Sequence, residues 1–381
     1  MSNWSWLDET PTSPLFLGRV IVKALLLFGL CNLSFAWIYP MEWLGQFSLY
    51  GQLYPTRPRL PYGENPSQSY NVSLDNLPAL FASHTISQSK NDDEYRVLLI
   101  GDSNTWGWLL DNDQTLAAHL NSADLRINQR SVVAYNLGYP VMSLTKDVLI
   151  LDEALTYEPD MIIWLVSLAS FPPEQQFLPP LVQNNQHRLQ IFSDTLNLDR
   201  YSADVPASER SFLQRTIIGE RRALADLLRL QTYGIAWSAT GIDQIIPENI
   251  SLRQSDFTDD LSWSIFDEPT TTLSVDTLAF DVLTAGINHV GNIPIIIINE
   301  PMFISDGINS ERRYNSFYPR WAYDQYRDIL QSAATQQQWQ YYDLWDTIPP
   351  NEFTDSPVHL SAAGTQALAQ MMIETIFNSE D

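Results

Sequence analysis

Residues 95–105 read YRVLLIGDSNT. Tyr95 to Ile100 is a short apolar run that does not alternate with polar residues. That pattern fits a strand buried on both faces of a parallel sheet. Gly101 ends the run, and Asp102-Ser103-Asn104-Thr105 follows directly. A serine just past the C-terminal end of such a strand, opening towards a helix, is well placed as a nucleophile. Its own N–H can also face a developing oxyanion. Gly-Asp-Ser alone is ordinary turn composition, so position carries the argument. The G-x-S-x-G elbow is absent, because position 105 is Thr.

Outward from this stretch the same alternation repeats. Val132–Leu137 predicts a second strand, ending in Gly138. Met161–Leu168, Ile293–Asn299 and Tyr341–Trp345 predict three more. Between them, Ser143–Tyr157 has apolar residues at 144, 148, 151 and 155, a helical period, with Ser143 as N-cap. Gln114–Leu120, Leu278–Val290, Tyr323–Thr335 and Leu360–Phe377 also read as helices. Strands alternating with helices predict an α/β domain over 95–381 with a parallel sheet. Its ligands belong beyond the C-terminal strand ends. The alternation breaks over 172–272, read as an insertion able to cap the site, with a helix at Ser208–Gln231. That helix carries Arg210, Arg215, Arg221, Arg222 and Arg229. It reads first as an ordinary amphipathic surface helix, and second as one lying on a membrane or a partner.

Val20–Tyr39 reads VIVKALLLFGLCNLSFAWIY, close to the ~20 apolar residues that cross a bilayer. Lys23, its only charge, sits near one end, where it can snorkel. Arg19 and Lys23 precede the apolar core, and no basic residue follows until Arg57. The positive-inside rule then places residues 1–19 in the cytoplasm and the rest outside it. Trp37, Tyr39 and Trp43 fit an interfacial belt. A cleaved signal with Ser34-Phe35-Ala36 as its small-x-small site is the competing reading. The long polar lead favours a retained single-pass anchor. Both readings put the catalytic region outside the cytoplasm. Residues 40–94, rich in Pro, Ser and Asn, read as a stalk or a wrapped irregular segment.

The chain has 381 residues, is 45% hydrophobic and carries a formal charge of -24. Such a surface repels nucleic acid and anionic lipid headgroups, because binding phosphates needs clustered cations. One cysteine, Cys31, excludes an internal disulfide and a CxxC site. The five histidines form no HExxH or similar pair, and there is no metal or cofactor signature. One histidine, His359, lies in FTDSPVHLSAAG before the last helix, four residues after Asp355. A carboxylate that near can orient an imidazole base, and Pro357 stiffens the loop.

Three blocks in this order resemble the SGNH/GDSL hydrolases: the first strand with Gly101-Asp102-Ser103, Asn136-Leu137-Gly138-Tyr139-Pro140 after the second, and Asp355 with His359 near the end. The likeness covers about 95–170 and 292–378. It implies a three-layer α/β/α, flavodoxin-like fold. It also implies Ser103 as nucleophile, His359 as base, Asp355 as orienter, and Ser103 and Gly138 N–H groups in an oxyanion hole. Two departures stand out. Family members usually carry D-x-x-H, whereas this chain has D-S-P-V-H. The oxyanion Asn expected after the third strand is replaced by Leu168-Ala169-Ser170-Phe171, leaving Ser170, Ser167 or Asn104 as substitute donors. Trp106 and Trp108, beside the nucleophile, read as a sugar-stacking wall or as core. Glu300, ending the fourth strand, reads as a substrate contact or a polar strand end. Arg312, Arg313 and Arg320 read as a carboxylate or carbohydrate lining or as surface cations.

The resemblance implies a serine-dependent esterase acting on an acylated carbohydrate or lipid. One alternative is an O-acyltransferase modifying exported polysaccharide beside a multispanning membrane acyltransferase. Another is a non-catalytic binding protein on a degenerate SGNH fold, motivated by the missing Asn.

Overall fold

Strand β1, Glu94–Ile100, is buried along its whole length. Val97 and Leu99 pack on one side of the sheet, and Leu98 and Ile100 on the other, the period of two that a pleated strand imposes. A computed structural model describes residues 14–49, 57–62, 76–192, 201, 211–240, 246–263 and 272–377. β1 sits inside a six-stranded sheet of order β2-β3-β1-β4-β5-β6. The other strands are β2 Arg126–Ile127, β3 Arg130–Asn136, β4 Met161–Val166, β5 Ile295–Asn299 and β6 Gln340–Asp343. All neighbours are parallel except β2, which pairs antiparallel with β3 at the edge. Without β2, the sheet has the doubly wound 2-1-3-4-5 order. Its direction of winding reverses between β1 and β4, the crevice where such sheets bind ligands. All five expected strands are present. β2, with two residues and one of them exposed, was not expected.

The first helices are α1 Pro14–Ile38, α2 Met41–Gln46, α3 Leu77–Ala82, α4 Ser103–Trp106 and α5 Leu116–Ser122. α6 Leu144–Ala154, α7 Pro180–Asn184, α8 Arg221–Thr240, α9 Phe280–Val290, α10 Arg320–Gln337 and α11 Ala362–Met372 follow among the described residues. α3, α6, α9 and α10 cover one face of the sheet, and α5 and α11 the other. The α/β layering is therefore as expected. Ser143 caps α6, its hydroxyl accepting from the Lys146 N–H at 3.2 Å.

Two boundaries differ from expectation. The domain does not begin at 95: Leu60, Leu77, Leu80, Phe81 and Ile86 lie in its core. Where residues 40–94 are described, they wrap the domain and do not form a stalk, because their apolar side chains find the sheet's helical layer. The insertion helix runs Arg221–Thr240 instead of Ser208–Gln231; residues 211–220 are turns, and 202–210 lie outside the described residues. In α1, Phe16–Ile38 is long and apolar enough to cross a membrane.

Candidate active site

The sheet delivers three side chains to one place. Asp102 caps the short α4, its carboxylate accepting from the Asn104 N–H at 2.9 Å. This fixes the turn that presents Ser103 at the end of β1. The Ser103 hydroxyl lies 2.8 Å from Nε2 of His359. On the other side of the ring, Nδ1 lies 2.8 Å from Oδ1 of Asp355. The extra residue in D-S-P-V-H does not prevent this contact. A bridge between Phe353 and Leu360 closes the loop, and the Thr354 N–H donates to the His359 carbonyl at 2.9 Å. Buried Val358 roots it. Trp108 stacks on the imidazole, with centroids 5.5 Å apart and planes 25° apart. Burial raises the Asp355 carboxyl, but the hydrogen bond and charge of His359 outweigh that and hold it below the ordinary value. Serine, imidazole and carboxylate at these distances can make an alkoxide nucleophile and stabilise the imidazolium that results.

The expected oxyanion residues fare differently. The side-chain amide of Asn104 donates to Glu300 at 3.2 Å, so it is turned away from the reacting side. The Gly138 N–H donates to the Asn136 side chain at 3.1 Å and is already engaged. Gly138 matters for space instead: a Cβ there would collide with the backbone of Thr105 and Trp106. Ser170 is buried in the turn Leu168–Ser170 after β4, at the same end of the sheet. Three residues farther along the Gly138 loop, Val141 holds φ 88°, a strained conformation for a β-branched residue.

Both expected substrate contacts are corrected. Trp106 is 1% exposed. Its indole N–H donates to the Leu60 carbonyl at 2.9 Å, and the Arg59 guanidinium covers its ring at 4.3 Å. It is core, because the wrapped 57–62 segment lies over it. Glu300 is also 1% exposed and touches Asn104 and Asp102 behind the nucleophile. Burial raises its carboxyl well above the usual range, and the Asp102 charge adds to this; hydrogen bonds from Asn104 and Ser167 pull the other way. Arg313 is buried and donates to backbone carbonyls, among them Asp260 at 2.7 Å. Arg320 caps Tyr314, 4.1 Å from its ring centroid, and Arg312 is exposed beside Asp259.

Sequence reasoning missed two supports. Lys146 is fully buried. Its ammonium donates to the carbonyls of Gly101 at 2.8 Å and Tyr139 at 2.7 Å, and lies 2.6 Å from Asp147. It ties the nucleophile turn to the Gly138 loop. Burial pushes the Asp147 carboxyl up to about 6 against the pull of Lys146. Arg59 donates to the carbonyl of Gly107 at 2.8 Å, holding the end of α4. The only signal for Lys146 was a charged pair inside an otherwise apolar helical stripe; Arg59 had none.

No family model matches the chain, and neither does any curated protein. Solved structures do match. A carbohydrate acetylesterase family member from Sinorhizobium meliloti is 13% identical, over 75% of this chain and 98% of that one, with TM-score 0.33. A lipase/acylhydrolase from Enterococcus faecalis is 14% identical, over 74% and 96%, with TM-score 0.37. A lipolytic protein of the G-D-S-L family from Desulfitobacterium hafniense DCB-2, described as putative, is 13% identical, over 72% and 96%, with TM-score 0.32. At these values the likeness is one of general layout, and the grouping of Ser103, His359 and Asp355 rests on the distances between their own atoms.

Proposed function

We propose that this chain is a serine-dependent ester hydrolase acting outside the cytoplasm on an acylated carbohydrate or lipid. The observation that carries the reading is the continuous hydrogen-bonded line from Ser103 through His359 to Asp355. In this mechanism Nε2 of His359 takes the Ser103 proton as Oγ attacks the ester carbonyl. The Ser103 N–H, at the start of α4, is one oxyanion donor. His359 then returns the proton to the leaving alcohol, and water, deprotonated by the same imidazole, releases the acid. The His359 side chain is 12% exposed and that of Asp355 31%. Water therefore has a path to the base, which favours hydrolysis over transfer. Retention of α1 as an anchor would hold the site near the membrane.

The test is labelling of the intact protein with a fluorophosphonate, followed by peptide mapping, alongside turnover of an aryl acetate. One adduct on Ser103, absent in Ser103→Ala and strongly reduced in His359→Ala, is expected. A folded protein with no adduct would overturn the reading. An acyl-enzyme that discharges to a sugar hydroxyl in preference to water would replace hydrolysis with transfer.

A further inference from the structure

One stripe of α1 is covered by protein. Asn32 and Ala36 are buried, and Gly29 and Phe35 partly so, the three-and-four spacing of a single helix face. The covering chain is residues 211–220, just before α8. The Ile218 N–H donates to the Asn32 side-chain carbonyl at 3.3 Å. Glu220 accepts from the Tyr39 hydroxyl at 2.8 Å, and the Arg215 guanidinium sits 4.9 Å from the Tyr39 ring centroid. Farther on, Gln231 of α8 accepts from the Leu49 N–H at 2.6 Å. Asn32 precedes the end of α1 by six residues, roughly 9 Å along a helix axis. Residues 211–220 thus stand beside the apolar run Phe16–Ile38, below its far end.

Three independent features suit that level. Phe212, Leu213 and Ile218 are 49%, 77% and 54% exposed, three large apolar side chains facing outward within seven residues. The segment satisfies part of its own backbone: the N–H groups of Arg215, Thr216 and Glu220 find the carbonyls of Ser211, Leu213 and Thr216, and that of Gly219 finds the Thr216 hydroxyl. Irregular chain tolerates a water-poor region only when so satisfied. Residues 211–229 also carry Arg215, Arg221, Arg222 and Arg229 against Glu220 and Asp226, in a chain whose formal charge is -24. Cations next to exposed apolar side chains match the phosphates and acyl chains of a leaflet surface.

We propose that residues 211–222 form a second membrane contact, seating Phe212, Leu213 and Ile218 in the outer interface of the bilayer that α1 crosses, with the arginines at headgroup level. Two attachment points fix the tilt of the catalytic domain, which a single helix would leave free. The inference rests on α1 as an anchor and is independent of the esterase chemistry.

The experiment uses the full chain with Cys31→Ser, carrying Leu213→Cys, Leu26→Cys or Leu252→Cys, each labelled with the fluorophore NBD. The proteins are reconstituted in phosphatidylcholine–phosphatidylglycerol vesicles with acyl chains brominated at shallow or deep positions. All three sites are exposed, so labelling leaves the core intact. Leu213 should be quenched several-fold more than Leu252, and best by shallow bromines, while Leu26 responds to deep ones. Quenching at Leu26 with Leu213 behaving like Leu252 would overturn the second contact alone. No quenching at Leu26 would overturn the anchor and this contact together.

Discussion

At the scale of the residue, geometry assigns each side chain a separate test. Asp355 accepts from Nδ1 of His359, fixing the tautomer whose Nε2 can accept the Ser103 proton. Asp355→Asn keeps the shape but permits the wrong tautomer, so kcat should fall by about 10²–10⁴ with KM little changed, read by steady-state kinetics. Glu300 is a buried support whose carboxyl is raised well above its ordinary value. Glu300→Gln should therefore stay close to wild-type activity. Glu300→Ala, which strips Asn104 of its partner, should lose roughly tenfold. The sign of the pH effect follows from linkage. The folded protein keeps the Glu300 proton to higher pH than the unfolded chain does. Its stabilisation is full below the unfolded pKa and lost as pH rises through the folded one. Denaturation midpoints of Glu300→Gln should fall less steeply over that window than wild type. Ser103, Asp355 and His359 were legible because the turn into α4 and the loop before α11 each have a recognisable flank. For Trp106 and Glu300 the substrate-contact reading gave way to the core and strand-end readings, because a place beside Ser103 or at a strand end does not say which way a side chain faces; the 57–62 segment and Asn104 decide that.

At the scale of the element, the site is two turns clamped by one helix. α6 sends Lys146 into the gap between the Gly101 and Tyr139 carbonyls, beside Asp147. Lys146→Met removes one partner of a buried ion pair and takes a donor from both carbonyls, of which that of Gly101 keeps the Tyr139 N–H. The expected cost is ~3–5 kcal/mol in urea unfolding, and Asp147→Asn added to it should recover part. A surface role for Lys146 would give almost no change. Strands and helices were legible wherever a run was apolar and bounded by Gly or a cap, as in β1, β4 and α6. The Ser208–Gln231 helix was misplaced because its arginine-rich periodicity continues through turns that instead close against α1. β2 was invisible: two residues carry no period.

At the scale of the whole molecule, the catalytic domain includes what precedes its first strand. Leu60, Leu77, Leu80 and Phe81 fill the core, and Arg59 reaches over Trp106 to Gly107. A chain beginning at Asp93 should lose both cooperative unfolding and activity. One beginning at Met41 should keep activity in detergent, as thermal melts and aryl acetate turnover would report. Composition left 40–94 open between a stalk and a wrapped segment, and the tertiary burial of its large apolar side chains decides for the wrapped one.

Ser103 and His359 are 256 residues apart in sequence. A ribosome adding roughly 5–20 residues per second takes tens of seconds to go from one to the other. For that interval Ser103 exists without its proton acceptor. On the proposed chemistry, a nascent chain would be silent until residue 359 has been added and the loop that carries it has folded against the sheet.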